Sequence, residues 1–174
     1  MQSELFKSEQ LKIEPTVHDF GNGVVTEYAQ FVDPAKADKY LKQLWSDCPW
    51  TKDTIRIAGK TIPIPRLQCW MGDPGAIYAY SGISLKRNDW SEVVFKIKTL
   101  AEKLTSEKLN SVLINCYRDG QDSVSWHADD EEELGPDPEI VSFSFGAQRK
   151  LQIKPKDKLD KRRFTFDLNH GSVI

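Results

Sequence analysis

The motif His127-Ala128-Asp129 places an imidazole and a carboxylate two residues apart. In an extended strand, residues at this spacing point to the same face, so both side chains could hold one metal ion from one side. Completed by a second histidine, such a pair is the facial triad that binds non-haem Fe(II). A histidine close to an aspartate is more commonly a surface pair, and the three residues alone leave both interpretations open.

The residues before the motif predict a β-hairpin. Asp119-Gly120 is a strong turn signal, because glycine readily takes the positive φ that tight turns require. It separates a predicted strand over 111–117 from one over 123–128, so the motif would lie on the second strand. On the first strand Asn115 and Tyr117 share a face. That face is either a polar binding surface or simply solvated.

The segment Asn115–Glu131 reads Asn-x-Tyr-x-x-Gly-x-Asp-x-Val-x-x-His-x-Asp-Asp-Glu, and it resembles the AlkB-like family of Fe(II)- and 2-oxoglutarate-dependent dioxygenases. Within that family it is most similar to the branch of nucleic-acid alkylation-repair demethylases. The similarity runs from about Phe31 to the last residue. Other matching segments follow in the family's order: Pro65-Arg66, Gly72-Asp73, Tyr78–Gly82, Val141–Ala147 and His170–Ser172.

The resemblance implies a fold, a set of cofactors and a reaction. The expected fold is a double-stranded β-helix, or jelly roll. His127 and Asp129 would be catalytic residues that bind Fe(II), and Asn115 and Tyr117 would bind 2-oxoglutarate, which is consumed together with O₂. The implied reaction is oxidative demethylation of N-alkylated bases in DNA or RNA, with release of formaldehyde, as a step in DNA repair.

The resemblance also implies a substrate surface. Its members are Lys60, Arg66, Tyr78, Tyr80, Asp130 and Glu131. Without the resemblance, the favoured interpretation would be solvated charges and aromatic residues of an edge strand. Duplex-acting relatives carry a bulky apolar residue just before the Gly-Lys pair, where this chain has Ala58. Because alanine cannot fill the gap left by an extruded base, we expect single-stranded substrates to be favoured.

A facial triad needs a third ligand, and the chain has only three histidines, one of which is His18. On the family pattern His170 opens the strand before the distal ligand, and that ligand and an arginine strand would follow Ile174. We therefore expect a C-terminally truncated copy that lacks the last strands of the jelly roll. The competing hypothesis is that His170 itself serves as the third ligand.

The hydrophobic pattern predicts an α+β fold with two helices backing the strands. Asp33-Pro34 predicts the start of one helix, with the apolar stripe Ala37, Tyr40, Leu41, Leu44 and Trp45. A second helix is predicted to begin near Asp89 or Ser91, with Val93, Ile97, Leu100, Ala101 and Leu104 on one face. A short hairpin is predicted over 55–57 and 58–60, and strands are predicted at 24–31, 111–117, 123–128, 139–146, 149–154 and 162–168.

Composition indicates a globular, soluble enzyme. The 174 residues suit one domain, which we divide into an N-terminal extension (1–22), a substrate-side region with supporting helices (23–107) and a partial dioxygenase core (108–174). Three cysteines without metal-ligand spacing favour a reducing compartment. We expect a cytoplasmic or nuclear monomer that is neither secreted nor associated with a membrane.

The net charge of −2 does not indicate a nucleic-acid ligand, but the distribution of charge is uneven. The segment Arg149–Arg163 holds eight basic residues against Asp157 and Asp160. It could neutralise phosphates, or it could be a solvated loop kept soluble by its charge. Two functional alternatives also stay open: a catalytically inactive nucleic-acid-binding homologue, and a dioxygenase of the same fold acting on proteins or small molecules.

Overall fold

A computed structural model of the chain describes residues 14–21, 23–57, 59–76, 79–80, 83–129, 134–135 and 138–174. The described part is mixed α+β, as predicted. Its helices are α1 (Pro34–Asp47) and α2 (Glu92–Thr105). Its strands are β1 (Thr16–Asp19), β2 (Val24–Glu27), β3 (Thr54–Ile57), β4 (Lys60–Pro63), β5 (Leu67–Gly72), β6 (Ala79–Tyr80), β7 (Ile83–Ser84), β8 (Ser111–Cys116), β9 (Phe143–Ser144), β10 (Arg149–Ile153), β11 (Phe164–Leu168) and β12 (Ser172–Val173).

The chain divides into two compact units, one formed by Met1–Lys42 with Val141–Ile174 and the other by Gln43–Ile140. Among the described residues, every sheet is a two-stranded antiparallel pair, extended in places by single bridges. No described helix is long and apolar enough to cross a membrane.

The first unit contains the hairpins β1–β2 and β10–β11 and the pair β9–β12. Tyr28 extends the last pair, because it exchanges backbone hydrogen bonds with Val173 in both directions, at 2.8 and 3.0 Å. Aromatic rings fill the space between these elements. Phe20 lies 4.0 Å from Phe164 between ring centroids, and Phe31 lies 5.9 Å from Phe143.

The second unit is built on the six-residue pair β5–β8, in which Leu67 faces Cys116 and Gly72 faces Ser111. Five of the six residues of β5 are buried, which explains why this strand reads as an almost continuous apolar run. Helix α2 contributes Val93, Val94 and Ala101 to the core.

Local sequence signals predict both helices correctly. The Asp33 carboxylate accepts hydrogen bonds from the backbone N–H groups of Ala35 and Lys36, at 3.0 and 3.2 Å, and so caps α1. The Ser91 hydroxyl likewise accepts from Val94 N–H at 3.4 Å, at the start of α2. The predicted stripe of α1 is partly wrong: Ala37, Tyr40 and Leu44 are buried, but Leu41 and Trp45 are 36% and 57% exposed.

The strand predictions are correct for some elements and wrong for others. Strand β8 and the pair β10–β11 lie within the predicted ranges. The predicted hairpin at β3–β4 forms, but its second strand begins only at Lys60 and runs to Pro63. The predicted strand over 139–146 is reduced to β9, and the early strand predicted over 24–31 ends as β2 at Glu27. The predicted strand over 123–128 is wrong, because the structure has no strand in residues 117–129.

Candidate metal and cosubstrate site

His127 and Asp129 lie side by side, although the segment that carries them is a loop. His127 Nε2 is 3.4 Å from Asp129 Oδ1, and the two side chains are 55% and 40% exposed. The other ring nitrogen, Nδ1, lies 2.8 Å from the carbonyl oxygen of Ser125. The pair is therefore held by the local backbone and open to solvent on one side.

The carbonyl contact determines the tautomer of His127. A carbonyl oxygen can only accept a hydrogen bond, so Nδ1 carries the proton and donates it to Ser125. In the neutral ring, Nε2 then presents a lone pair to the Asp129 carboxylate, which is also only an acceptor. A cation shared by the two side chains removes the repulsion between these two acceptors.

The residues fit a metal ion. Two donors bound at right angles to one ion, each about 2.1 Å from it, lie about 3 Å apart, which is close to the separation of Nε2 and Oδ1. A histidine that binds metal usually donates its second ring N–H to a carbonyl or carboxylate, as His127 does to Ser125. Within the part of the chain that the structure describes, no group of three His, Cys, Asp or Glu side chains is placed to hold an ion.

The turn before the motif differs from the predicted one. Gly120 does not adopt a positive φ, so the prediction of a tight glycine turn is wrong. Instead the Asp119 carboxylate accepts hydrogen bonds from the N–H groups of Gln121 and Asp122, at 2.8 and 3.3 Å. Such a side-chain-organised turn does not hold the following segment in register with β8, and the second hairpin strand does not form.

Asp122 anchors the loop that follows. It is 4% exposed, and its carboxylate accepts from the backbone N–H of Arg118 at 2.9 Å and from two nitrogens of the Arg118 guanidinium at 2.7 and 2.8 Å. The hydrogen bonds from the guanidinium to the Asp122 carboxylate raise the pKa of Arg118. Ser123 N–H donates to the carbonyl of Pro65 at 2.9 Å, which ties the loop to the segment before β5.

Asn115 lies on β8 and receives two side-chain hydrogen bonds at its Oδ1 atom. Arg66 Nε donates at 2.9 Å, and Gln68 Nε2 donates at 3.1 Å. The next residue, Cys116, is half-buried, and burial raises the pKa of its thiol. Tyr117 lies one residue beyond the end of β8.

The structure describes some of the predicted substrate residues and not others. Lys60 is exposed at the start of β4. Arg66 is only 7% exposed, so the alternative that Arg66 is a solvated surface charge is wrong. Tyr78, Asp130 and Glu131 lie outside the described residues, as does Ala58. The backbone of Tyr80 lies in β6, but its side chain is not among the described parts of the structure.

His170 has partners of its own in the first unit. Its Nδ1 accepts a hydrogen bond from the backbone N–H of Gly146 at 2.8 Å. Its Nε2 lies 3.3 Å from Asp38 Oδ1 but lacks hydrogen-bond geometry. The ring therefore stabilises a backbone turn at Gly146, which has a φ of +95°.

Two contributors to the site were missed by sequence analysis. Gln68 is completely buried in the otherwise apolar β5, directly opposite Asn115. A single glutamine within an apolar run was the available signal. Asp122 belongs to the quoted motif, but its role as a buried anchor depends on Arg118 and could not be inferred from the motif alone.

Comparison with known proteins assigns the chain to a family. Residues 24–174 match the family described as "2OG-Fe(II) oxygenase superfamily". This chain belongs to the 2OG-Fe(II) oxygenase superfamily. It is 37% identical over 173 residues to mouse "Alpha-ketoglutarate-dependent dioxygenase alkB homolog 3", covering 95% of this chain and 58% of that protein. It is 33% identical over 176 residues to mouse "DNA oxidative demethylase ALKBH2", covering 96% of this chain and 74% of that protein.

The human counterpart of the first relative is 36% identical over 173 residues, with 58% of its length covered. The chain thus spans somewhat more than half the length of the alkB homolog 3 proteins that it matches. Membership in the 2OG-Fe(II) oxygenase superfamily confirms the resemblance drawn from the motifs around His127.

Proposed function

We propose that the protein acts as an Fe(II)- and 2-oxoglutarate-dependent dioxygenase that demethylates N-alkylated bases in DNA or RNA. The observation that carries the proposal is the pairing of His127 with Asp129, with the histidine tautomer set by Ser125. The relatives' names, which include "DNA oxidative demethylase", support alkylated nucleic acid as the substrate class. The names also favour a role in repair.

His127 and Asp129 would hold the iron through Nε2 and a carboxylate oxygen, as two of the three ligands of a facial triad. When bound, iron with 2-oxoglutarate and O₂ supplies the oxidising power that hydroxylates an N-methyl group. The protein's own contribution is to present one neutral nitrogen and one anionic oxygen from the same side of a loop. Asp122 supports that presentation, because it anchors the start of the loop through Arg118.

Asn115 and Tyr117 would bind 2-oxoglutarate. An amide N–H and a phenol O–H are donors suited to the carboxylate and keto oxygens of this dianion. Asn115 lies on a regular strand, which fixes its backbone more firmly than a loop would.

The nucleic acid would contact several charged and aromatic residues. Chemistry on a base requires a single strand or a flipped nucleotide, and the exposed base then needs an aromatic platform and polar groups at its edge. We assign these roles to Tyr78, Tyr80, Asp130 and Glu131, together with Lys60 and Arg66. Ala58 in place of a bulky wedge favours single-stranded substrates.

The hairpin β10–β11 would add electrostatic affinity for phosphates. Its exposed basic residues include Lys156, Lys158 and Lys161. Arg162 contributes less, because its guanidinium lies 2.6 to 3.0 Å from the Asp160 carboxylate and lowers the pKa of that group. We expect Lys158 and Lys161 to contribute to long-range attraction to phosphate.

We further propose that the strands belong to a double-stranded β-helix. The partial dioxygenase core at 108–174 would follow a substrate-side region at 23–107. The protein would be a monomer that works in the cytoplasm or nucleus. His170 would serve the backbone turn and not the metal, which agrees with its hydrogen bond from Gly146.

The test is turnover of a single-stranded oligonucleotide that carries N1-methyladenine or N3-methylcytosine, followed by formaldehyde and succinate release. We expect coupled formation of both products by the natural protein and none by His127→Ala. His18→Ala is the matched control, because His18 pairs with Glu27 in the first unit and should leave turnover unchanged. Binding of the oligonucleotide without turnover would favour the inactive homologue, and turnover of peptides alone would favour the protein-modifying alternative.

A further inference from the structure

Two buried polar side chains converge on one atom of Asn115. Arg66 and Gln68 are 7% and 0% exposed, and they donate to Asn115 Oδ1 at 2.9 and 3.1 Å. A polar group buried without partners is costly, so burying a guanidinium and an amide here needs a reason. Their common acceptor indicates that the orientation of the Asn115 amide is what they determine.

The chemistry of arginine makes this orientation unambiguous. A guanidinium has five N–H donors and no acceptor, so Asn115 must turn its oxygen, and not its nitrogen, towards Arg66. A carbonyl oxygen has two lone pairs, and Gln68 provides the second donor. With Oδ1 fixed by two donors, the NH₂ group of Asn115 is directed away from them and can present only donors to whatever it meets.

The backbone explains why the contact is rigid. Gln68 and Asn115 are direct register partners on β5 and β8, so their side chains share one face of the pair. Arg66 is held separately: its Nη1 donates to the carbonyl of Ser123 at 3.3 Å, and Ser123 N–H donates to Pro65 at 2.9 Å. Arg66 thus joins Asn115 to the loop that leads to His127.

We propose that Arg66 and Gln68 are positioning residues that fix the Asn115 amide with its NH₂ group ready to donate to a carboxylate of 2-oxoglutarate. The inference rests on the proposed function, since Asn115 is a cosubstrate residue only in a dioxygenase. It gives Arg66 a role on the cosubstrate side, in addition to the contact with the base that the resemblance implies. It also gives the buried Gln68 a role that no motif assigned.

The test compares Gln68→Met and Arg66→Lys with the natural protein. Methionine keeps the volume of glutamine but removes the donor, and lysine keeps the charge but loses the fixed direction of Nε. We expect the Kd for 2-oxoglutarate to rise by about tenfold in each variant, because one donor to an anionic ligand is misdirected. The Kd is measured with Co(II) in place of iron, so that no turnover occurs. The KM for the oligonucleotide should stay unchanged for Gln68→Met.

Two further variants separate positioning from general damage. Arg87→Lys is the matched control, because Arg87 also donates to a backbone carbonyl, that of Gly72 at 2.8 Å, but does not contact Asn115. Asn115→Asp removes the NH₂ group while still accepting from both donors. In that background Gln68→Met should have no further effect on 2-oxoglutarate affinity, since the group that it positions is gone.

The outcomes are distinguishable. Unchanged 2-oxoglutarate affinity in Gln68→Met, in a folded variant of a natural protein that binds 2-oxoglutarate, would overturn the positioning role alone. The positioning role would also be overturned if Gln68→Met weakened 2-oxoglutarate binding as much in the Asn115→Asp background as in the natural protein. The same holds if Arg87→Lys weakened 2-oxoglutarate binding to the same extent as Gln68→Met. If the natural protein binds no 2-oxoglutarate with either metal, the proposed function fails, and the positioning role fails with it.

Discussion

Replacing Gly171 by alanine is the change from which the structure predicts the clearest loss of stability. Gly171 has a φ of +81°, and a Cβ atom added there would lie 2.5 Å from the carbonyl oxygen of Val32. The same glycine accepts hydrogen bonds from Phe31 and Val32 at 2.9 Å and donates to Ser144 at 2.8 Å. Its backbone therefore cannot move to relieve the overlap without weakening these three bonds.

The expected cost combines two terms. A non-glycine residue in the left-handed region costs about 1–2 kcal/mol. Weakening one or two of the backbone hydrogen bonds adds about 1 kcal/mol each. The free energy of unfolding should thus fall by about 2–4 kcal/mol, which for a chain of this size lowers the midpoint of thermal unfolding by roughly 5–15 °C.

Two other glycines provide matched controls for the two terms. Gly75 has a φ of +88° with no atom near the added Cβ, and Gly120 has neither a positive φ nor a neighbour. Thermal unfolding followed by circular dichroism should therefore rank the alanine variants, with Gly171 the least stable, Gly75 next and Gly120 close to the natural protein. A Gly171→Ala midpoint equal to that of Gly75→Ala would refute the argument from the close contact with Val32.

Two further predictions concern the thiols and the basic hairpin. Burial raises the pKa of the Cys116 thiol, so the native protein holds less of the reactive thiolate at pH 8 than the unfolded protein does. Alkylation of Cys116 by iodoacetamide at pH 8, measured by mass spectrometry, should therefore be slower in the native protein than in the protein unfolded in urea. Equal rates would contradict the burial of this thiol. Lys156→Ala and Lys158→Ala should each reduce the slope of log affinity against log salt for single-stranded DNA by about 0.7, because each removes one phosphate contact. Lys103→Ala is the control for the second prediction, because Lys103 is an exposed lysine of α2. If the hairpin variants leave the slope unchanged, Lys156 and Lys158 belong to a solvated loop that does not contact phosphate.

Local interactions explain which parts of the fold the sequence predicts. The caps at Asp33 and Ser91 act within three residues, so the starts of α1 and α2 can be read directly from the chain. The hairpin β10–β11 alternates apolar and polar residues, and that alternation predicts which residues of each strand share a face. The pairing of His127 with Asp129 is equally local, and the structure brings the two side chains together without the strand that was expected to carry them.

The parts that sequence analysis missed depend on distant partners. Gln68 and Arg66 contact Asn115 across 47 and 49 residues of sequence, and no periodicity signals such a contact. The turn at Gly120 was mispredicted because carboxylate acceptors at Asp119 and Asp122 competed with the glycine turn. At the turn before His127 a side-chain hydrogen bond, and not the hydrophobic pattern, decides the backbone path.

The central claim is that one metal ion is held between His127 and Asp129. Its most direct test is an anaerobic titration of the protein with Fe(II) in the presence of 2-oxoglutarate, followed by the charge-transfer absorption of the iron–2-oxoglutarate complex. We predict a saturable band that is lost in His127→Ala and in Asp129→Asn and retained in His18→Ala. A band of undiminished intensity in His127→Ala would contradict the claim and place the metal elsewhere.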